Sequence, residues 1–196
     1  MGPRRRALSA AVGNVTLLAP AWWLSASPTG VHAWLVVGLS SVFAAVEAAS
    51  AGADDRTNAV LPIGPTLTAL SLLATLVVAL VTAAATTSVI AVVVGVPLTL
   101  VGIGLRAASM RALGPAFVSQ TRPCSPGAWV RHGPYRWLRH PSELGLVAIA
   151  TGLALGAGSA AAVGLVGLVV VPVVAVRTRI ESRELDRSRL HVGMPG

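Results

Sequence analysis

Three long stretches without a single charged side chain constrain the fold of this chain more than any other feature of its sequence. They cover residues 7–46, 57–105 and 144–176, which are 40, 49 and 33 residues long. A helix crosses the hydrocarbon core of a bilayer with about 20 apolar residues, so the first two stretches each hold two spans. Lipid offers the backbone no hydrogen-bond partner, and the spans must therefore be helices. The sequence predicts an all-α, polytopic transmembrane protein.

The overall composition agrees with a membrane protein. Of the 196 residues, 54% are hydrophobic and 11% are charged, and the mean hydropathy is +0.75. Soluble domains carry about 25% charged residues. We treat the N-terminal transmembrane helices (residues 1–107) and the remainder (residues 108–196) as one integrated domain. The four predicted spans cover residues 7–24, 31–50, 66–85 and 88–107.

The third uncharged stretch is too long for one span, because a single helix of 33 residues would measure about 50 Å. We therefore expect a C-terminal helical hairpin of residues 143–156 and 160–176 that turns at Gly156–Ala160. Small residues of this hairpin, such as Gly152 and Gly164, are expected to permit close helix approach in lipid.

Arginine supplies all 15 basic residues, and the net charge is +8. With Arg4–Arg6 on the cytoplasmic side, every arginine falls on that side, as the positive-inside rule requires. We interpret this charge as orientation and attraction to anionic lipid head groups, not as a nucleic-acid site. The single Cys124 excludes a cysteine-rich metal site, and we expect no metal. The predicted outer turns, which carry no arginine, are Ser25–Gly30, Ala84–Thr87 and Gly156–Ala160.

Polar residues concentrate at the two ends of the predicted hairpin, in residues 106–143 and 177–191. Because a hairpin returns its ends to one place, we expect these two polar clusters to be neighbours in space. The sequence thus predicts a single polar site on the cytoplasmic face, bounded on both sides by apolar helices.

The first cluster contains the segment RHGPYRWLRHPSELG, residues 131–145. Gly133 and Pro134 predict a turn, since glycine permits the backbone that such a turn needs and proline fixes φ. Pro141 suits the first turn of the helix that follows. Arginines of this segment could bind a carboxylate or phosphate, or lipid head groups if the segment is only an interfacial loop. Its flat rings, which could stack on a purine or contact a sulfonium, are Tyr135, Trp137 and His140.

The second cluster begins where the hairpin leaves the membrane. On a helix, Arg177 and Glu181 are four residues apart and share a face. A carboxylate there could accept hydrogen bonds from a ribose or an α-ammonium group, while the arginine meets an anion. The charged residues beyond Glu181 are interpreted as a solvated, ion-paired helix end.

Together, Gly133-Pro-Tyr-Arg-x-x-Arg-His-Pro141-x-x-x-Gly145 and Arg177-x-x-x-Glu181-x-x-x-Leu185 resemble the isoprenylcysteine carboxyl methyltransferase family. That superfamily also includes phospholipid N-methyltransferases. The resemblance covers about residues 106–187. It implies a helical membrane enzyme that binds S-adenosylmethionine at the cytoplasmic face and takes a lipidic or prenylated acceptor from the membrane.

The resemblance also implies roles for particular residues. Glu181 would hold the cofactor, and Arg177 would complete that site or face the acceptor, so these two are the candidate catalytic residues. The acceptor atom (carboxylate, thiol or amine) and the oligomeric state stay open. The residues that would line the cofactor pocket, with the glycine allowing close approach, are Tyr135, Arg139, His140, Pro141 and Gly145.

The chain departs from this family pattern at two positions near the site. Glu143 stands where the family usually has tyrosine, and Ser182 replaces the second of two adjacent acids. These departures favour a non-catalytic relative, and two alternatives to the methyltransferase stay open. One is an NADPH-dependent membrane reductase of the sterol-reductase type, which carries a similar GPYR…RHP stretch, and the other is a non-catalytic membrane relative.

Overall fold

A computed structural model describes residues 3–23, 31–50, 63–83, 88–113 and 132–192. These ranges contain helices and turns but no β-strand, so the predicted all-α class is confirmed for them. A 3₁₀ turn at Gly133–Arg136 precedes α5, and a π-helical segment at Val166–Val170 joins α6 to α7 without a break. The helices are α1 (Pro3–Trp23), α2 (Val31–Ser50), α3 (Ile63–Val81), α4 (Val89–Leu113), α5 (Pro141–Gly156), α6 (Ala160–Leu165) and α7 (Val171–Val192).

Helices α1 to α6 run in alternating directions between two ends of a bundle, and α7 continues in the direction of α6. At one end, Arg106 near the end of α4 contacts both Glu47 of α2 and Ser142 at the start of α5. At the other end, Thr82 after α3 lies 2.5 Å from Ser159 in the turn between α5 and α6. We call these the site end and the far end. The return of α6 and α7 then brings the chain back to the site end.

Within the described ranges, three helical segments are long and apolar enough to cross a membrane: His32–Ala49, Val89–Leu113 and Ala160–Ile180. Two further apolar helices, Leu67–Val81 and Pro141–Gly156, are shorter than a typical span. The chain is thus an integral membrane protein. Four spans before the hairpin, and a site end that faces the cytoplasm, stay predictions.

The outer surface of the bundle is apolar, as expected for helices surrounded by lipid. Large hydrophobic side chains such as Leu8, Ile90 and Leu168 are more than two-thirds exposed. Inside the bundle, small and branched residues of six helices (α1, α2, α3, α5, α6 and α7) and of the π segment form a common core. Its fully buried members include Leu18, Val36, Ala79, Leu80, Ala154, Ala162 and Val170.

The closest helix contact is a glycine seam between the antiparallel helices α4 and α5. A Cβ added to Gly95 would lie 2.6 Å from the carbonyl oxygen of Gly152, and one on Gly102 would lie 2.7 Å from that of Gly145. Side-chain carbons do not approach backbone atoms so closely, so only glycine permits this separation of the helices. The two glycines of each helix are seven residues apart, or about two turns, and therefore lie on one face.

The close approach predicted for Gly152 therefore occurs, but its partner is α4 and not the second arm of the hairpin. Gly164 and Gly167, in α6 and the π segment, have open space where a Cβ would lie. The difference arises because α4 carries matching glycines, whereas the second arm meets α5 through larger side chains such as Val166 and Val170.

The predicted turn at Gly156–Ala160 is confirmed. Gly158 adopts φ +64°, a conformation that favours glycine, and its N–H donates to the carbonyl of Leu155. The buried Ser159 then caps α6 by accepting a hydrogen bond from the Ala162 N–H at 2.9 Å. The turn is thus specified locally by two adjacent residues.

The π segment controls which face of α7 points into the bundle. Buried side chains occur every fourth residue at Ala162, Val166, Val170 and Val174. In a regular α-helix each step of four residues overshoots a full turn by about 40°, and a π segment is wound more loosely. Pro172, two residues after the end of this segment, has no N–H to donate, so the backbone ladder is interrupted here in any case. The looser winding keeps the buried residues on one side.

We predict that Gly102→Ala will destabilise the protein by about 1–3 kcal/mol, because the new methyl group must push α4 and α5 apart. Gly104→Ala is the matched control, since it lies two residues away on the same helix and has open space around it. That change should be neutral or stabilising by up to about 1 kcal/mol. Thermal unfolding of both variants in detergent measures the difference. Equal unfolding midpoints for the two variants would contradict the close packing of α4 against α5 at Gly102.

Candidate functional site

The two polar flanks of the hairpin meet at the site end, as the sequence predicts. His140 Nε2 lies 3.0 Å from the Ser182 hydroxyl, and Arg177 Nη1 lies 3.3 Å from Glu143 Oε1. These contacts join the start of α5 to α7 across more than thirty residues of sequence. The site is therefore built from both clusters, with apolar helices on either side of it.

Local backbone chemistry sets the shape of the first cluster. Gly133 begins the 3₁₀ turn with φ +59°, which favours glycine, and Pro134 is the second residue of the turn. The Pro134 carbonyl accepts hydrogen bonds from the N–H groups of Trp137 and Leu138. A Cβ added to Gly133 would lie 3.3 Å from the Ala112 side chain, so this turn packs against the end of α4. The predicted turn at Gly133–Pro134 is confirmed.

The start of α5 follows directly from that turn. His140 is the residue before the helix, and Pro141 is its first residue, as predicted. Pro141 is fully buried and has no N–H that would need a partner at this position. Glu143 is the third residue of the helix, where a carboxylate interacts favourably with the helix dipole.

The ion pair of Glu143 and Arg177 is largely removed from water. The Glu143 side chain is 8% exposed and that of Arg177 is 24% exposed. Removing a charge from water is costly unless an opposite charge and hydrogen bonds compensate. The two residues therefore depend on each other, and the pair holds α7 against the first turn of α5.

A second ion pair lies beside the first, and the sequence analysis did not identify it. The Arg106 guanidinium binds both carboxylate oxygens of Glu47, with Nη2 at 2.9 Å from Oε2, and its Nη1 donates to the Ser142 hydroxyl at 2.6 Å. One signal could have indicated it: both residues are lone charges that bound long apolar stretches. Ionisable residues in such positions are usually paired and functional.

The predicted pocket residues differ in their surroundings. Tyr135 and His140 are partly buried and Arg139 is exposed. Gly145 faces α4, because a Cβ there would lie 2.8 Å from the Gly102 carbonyl oxygen, so helix packing accounts for this glycine. Glu181 lies on α7, one residue before Ser182, but its side chain is outside the described part of the structure.

The exposed Trp137 has the guanidinium of Arg136 5.3 Å above its ring, a cation–π contact. Its side chain is 80% exposed, on the same segment as Arg139. Both side chains of this contact are suited to the boundary between lipid and water, where tryptophan and arginine are enriched. In the described residues, no three His, Cys, Asp or Glu side chains are grouped to hold a metal ion.

The sequence around this site was compared with known protein families. The sequence profile described as phospholipid methyltransferase matches residues 90–188, or 99 of the 196 residues. That range runs from α4 through the 3₁₀ turn and the hairpin into α7, and it contains both polar clusters. The chain belongs to the phospholipid methyltransferase family. No curated protein and no solved structure matches it.

The phospholipid methyltransferase family is a methyltransferase family, and membership in it supports an enzyme. The resemblance drawn from residues 133–145 and 177–185 is thereby confirmed at the level of the superfamily. The matched range also includes Arg106, Ser142 and Glu143, but Glu47 lies outside it. Of the four residues that form the two ion pairs, Glu47 is thus the one that lies outside the matched range.

We predict that Arg177→Met will destabilise the protein by about 3–5 kcal/mol, because it leaves the buried Glu143 carboxylate without its guanidinium. Arg179→Met is the matched control, an exposed arginine two residues further along α7. Adding Glu143→Gln to Arg177→Met should restore part of the lost stability. Chemical or thermal unfolding in detergent tests this, and an equal loss in the Arg179 variant would contradict the ion-pair explanation.

Proposed function

We propose that this protein transfers a methyl group from S-adenosylmethionine to the head group of a membrane lipid. The proposal is carried by one observation: the segment matched to the phospholipid methyltransferase family is the segment in which His140, Ser182, Glu143 and Arg177 come together. Among common phospholipids, the methylatable head-group nucleophile is an amine, and we propose an amine as the acceptor.

The residues at the site end fit the chemistry of this methyl donor, which carries a carboxylate, an ammonium group, a sulfonium and an adenosine. Exposed Arg139 suits the carboxylate, because a guanidinium binds it in a bidentate manner. Tyr135 and His140 offer flat rings to the adenine or the sulfonium. Glu181 is assigned the ribose or the ammonium, on the resemblance described above.

The length of α5 supports access from the membrane. Its 16 residues measure about 24 Å, whereas the hydrocarbon core of a bilayer is about 30 Å thick. If the turn at Gly158 lies at one surface of the core, the start of α5 lies within or just below the opposite surface. A lipid head group can reach that depth without leaving the bilayer.

When bound, the donor supplies an electrophilic methyl group on a positively charged sulfur. The protein contributes alignment of the acceptor with that methyl group and exclusion of water, and alignment alone can contribute about 7–11 kcal/mol. An amine acceptor must also lose a proton. In the described part of the site, His140 and Glu143 are the groups that could accept it.

Thermal shift with two cofactors tests the proposal against its alternatives. A ligand that binds only the folded protein raises its unfolding temperature. We expect S-adenosylmethionine to stabilise the protein and NADPH to have no effect. Stabilisation by NADPH alone would support a reductase, and no response to either would support a non-catalytic relative.

Donor affinity should fall by about 10-fold or more in Arg139→Gln, since a charge-assisted hydrogen bond is lost. Arg111→Gln is the control, because Arg111 is an exposed arginine in the last turn of α4. Glu181→Gln should also weaken binding, and Glu184→Gln, three residues further along α7, should not. Titration of purified protein with the donor measures all four, and equal affinities would contradict the assigned pocket.

Incubation with a lipid extract and isotopically labelled donor identifies the acceptor. Mass spectrometry should find the labelled methyl group on an amine head group. If the label were found on the carboxylate or thiol of a lipid, the protein would still be a methyltransferase, but the proposed amine acceptor would be wrong.

A further inference from the structure

Glu47 and Arg106 are charges placed where the surrounding sequence is apolar. Glu47 is three residues from the end of α2, and Arg106 is seven residues from the end of α4. No other charged residue lies in 7–53 or in 57–110. A charge within a membrane helix is costly and is normally retained for a function. None of the roles proposed for methyl transfer involves Glu47 or Arg106.

The geometry of the pair leaves one guanidinium nitrogen, Nη1, for another partner. Two of the guanidinium nitrogens bind the Glu47 carboxylate side by side, which fixes the plane of the guanidinium. The remaining terminal nitrogen donates to the Ser142 hydroxyl at 2.6 Å. The Arg106 side chain is only 12% exposed and that of Glu47 29%, so water competes weakly for these bonds.

Ser142 connects this pair to the site. It is buried in the first turn of α5, directly before Glu143 and two residues after His140. The glycine seam makes the connection possible, because a Cβ on Gly145 would lie 3.2 Å from both the backbone nitrogen and the Cβ of Arg106. A larger residue there would move α4 away and take Arg106 out of reach of Ser142.

We infer that Glu47 and Arg106 are positioning residues that hold the first turn of α5, and with it Glu143 and His140, through the Ser142 hydroxyl. Glu47 orients the guanidinium, and the guanidinium holds the hydroxyl. The N-terminal helices thus set the geometry of a site whose other residues lie in the family-matched segment. The kinetic consequence rests on the proposed methyl transfer, whereas the structural consequence does not.

Hydrogen–deuterium exchange tests the structural consequence without any activity. The Leu144 N–H donates to the His140 carbonyl and closes the first turn of α5. In Ser142→Ala and in Glu47→Gln, amides 144–148 should exchange at least about 5-fold faster than in the wild type, whereas amides 150–156 of the same helix should not change. Ser109→Ala is the matched control, a buried serine whose hydroxyl donates to the Leu105 carbonyl of its own helix.

Steady-state methyl transfer tests the kinetic consequence. Small misplacements of reacting groups can lower rates by about 100-fold. We expect kcat to fall by about 10-fold or more in Ser142→Ala and Glu47→Gln, with a smaller change in the KM of the donor. Ser142→Thr retains the hydroxyl and should recover most of the rate, and Ser109→Ala should match the wild type. The Glu47→Gln/Ser142→Ala double variant should have about the same kcat as either single variant, because both changes interrupt the same chain of contacts from Glu47 through Arg106 to Ser142.

The outcomes separate this inference from the proposed function. Faster exchange confined to the first turn supports the inference even if the protein methylates no lipid. Unchanged exchange in both variants overturns it, whatever the activity. Where methyl transfer is measurable, equal kcat in Ser142→Ala and wild type, or a double variant with the product of the two single losses, also overturns it.

Discussion

The close approach of α4 to α5 is the contact on which the rest of the structure depends. Four glycines remove the side chains that would hold these helices apart, and backbone meets backbone along two turns of each. In lipid, where apolar surface gains little by association, such close packing is a main source of helix pairing. Because α4 ends and α5 begins at the site end, this contact brings Arg106 beside Ser142 and Glu143.

Two ion pairs add further contacts between helices to the close glycine packing of α4 and α5. Each of the four charged residues Glu47, Arg106, Glu143 and Arg177 would be costly alone in an apolar bundle, and the structure neutralises them as two adjacent pairs. Together the pairs join α2, α4, α5 and α7 at a single point. We propose that the methyl donor and the lipid acceptor meet at this point, because charged side chains and apolar helices lie next to each other here.

Several features could be predicted because they depend on near neighbours in sequence. The helices follow from the uncharged stretches, and the turn at Gly158 and Ser159 follows from glycine beside a capping serine. Gly133 and Pro141 likewise set a turn and a helix start whatever surrounds them. The meeting of His140 and Ser182 could also be predicted, since a hairpin returns its ends to one place.

Hydropathy, turn residues and a family pattern are properties of near neighbours in sequence, and they predict the helical class, the membrane setting and the segment that resembles the family. The packing of Gly152 against Gly95 and the binding of Glu47 to Arg106 become visible only when the helices are folded together. The latter pair is 59 residues apart, and apolar helices of similar composition fit many partners. Which helices become neighbours depends on the complementarity of whole faces, and that property exists only once all the helices are packed together.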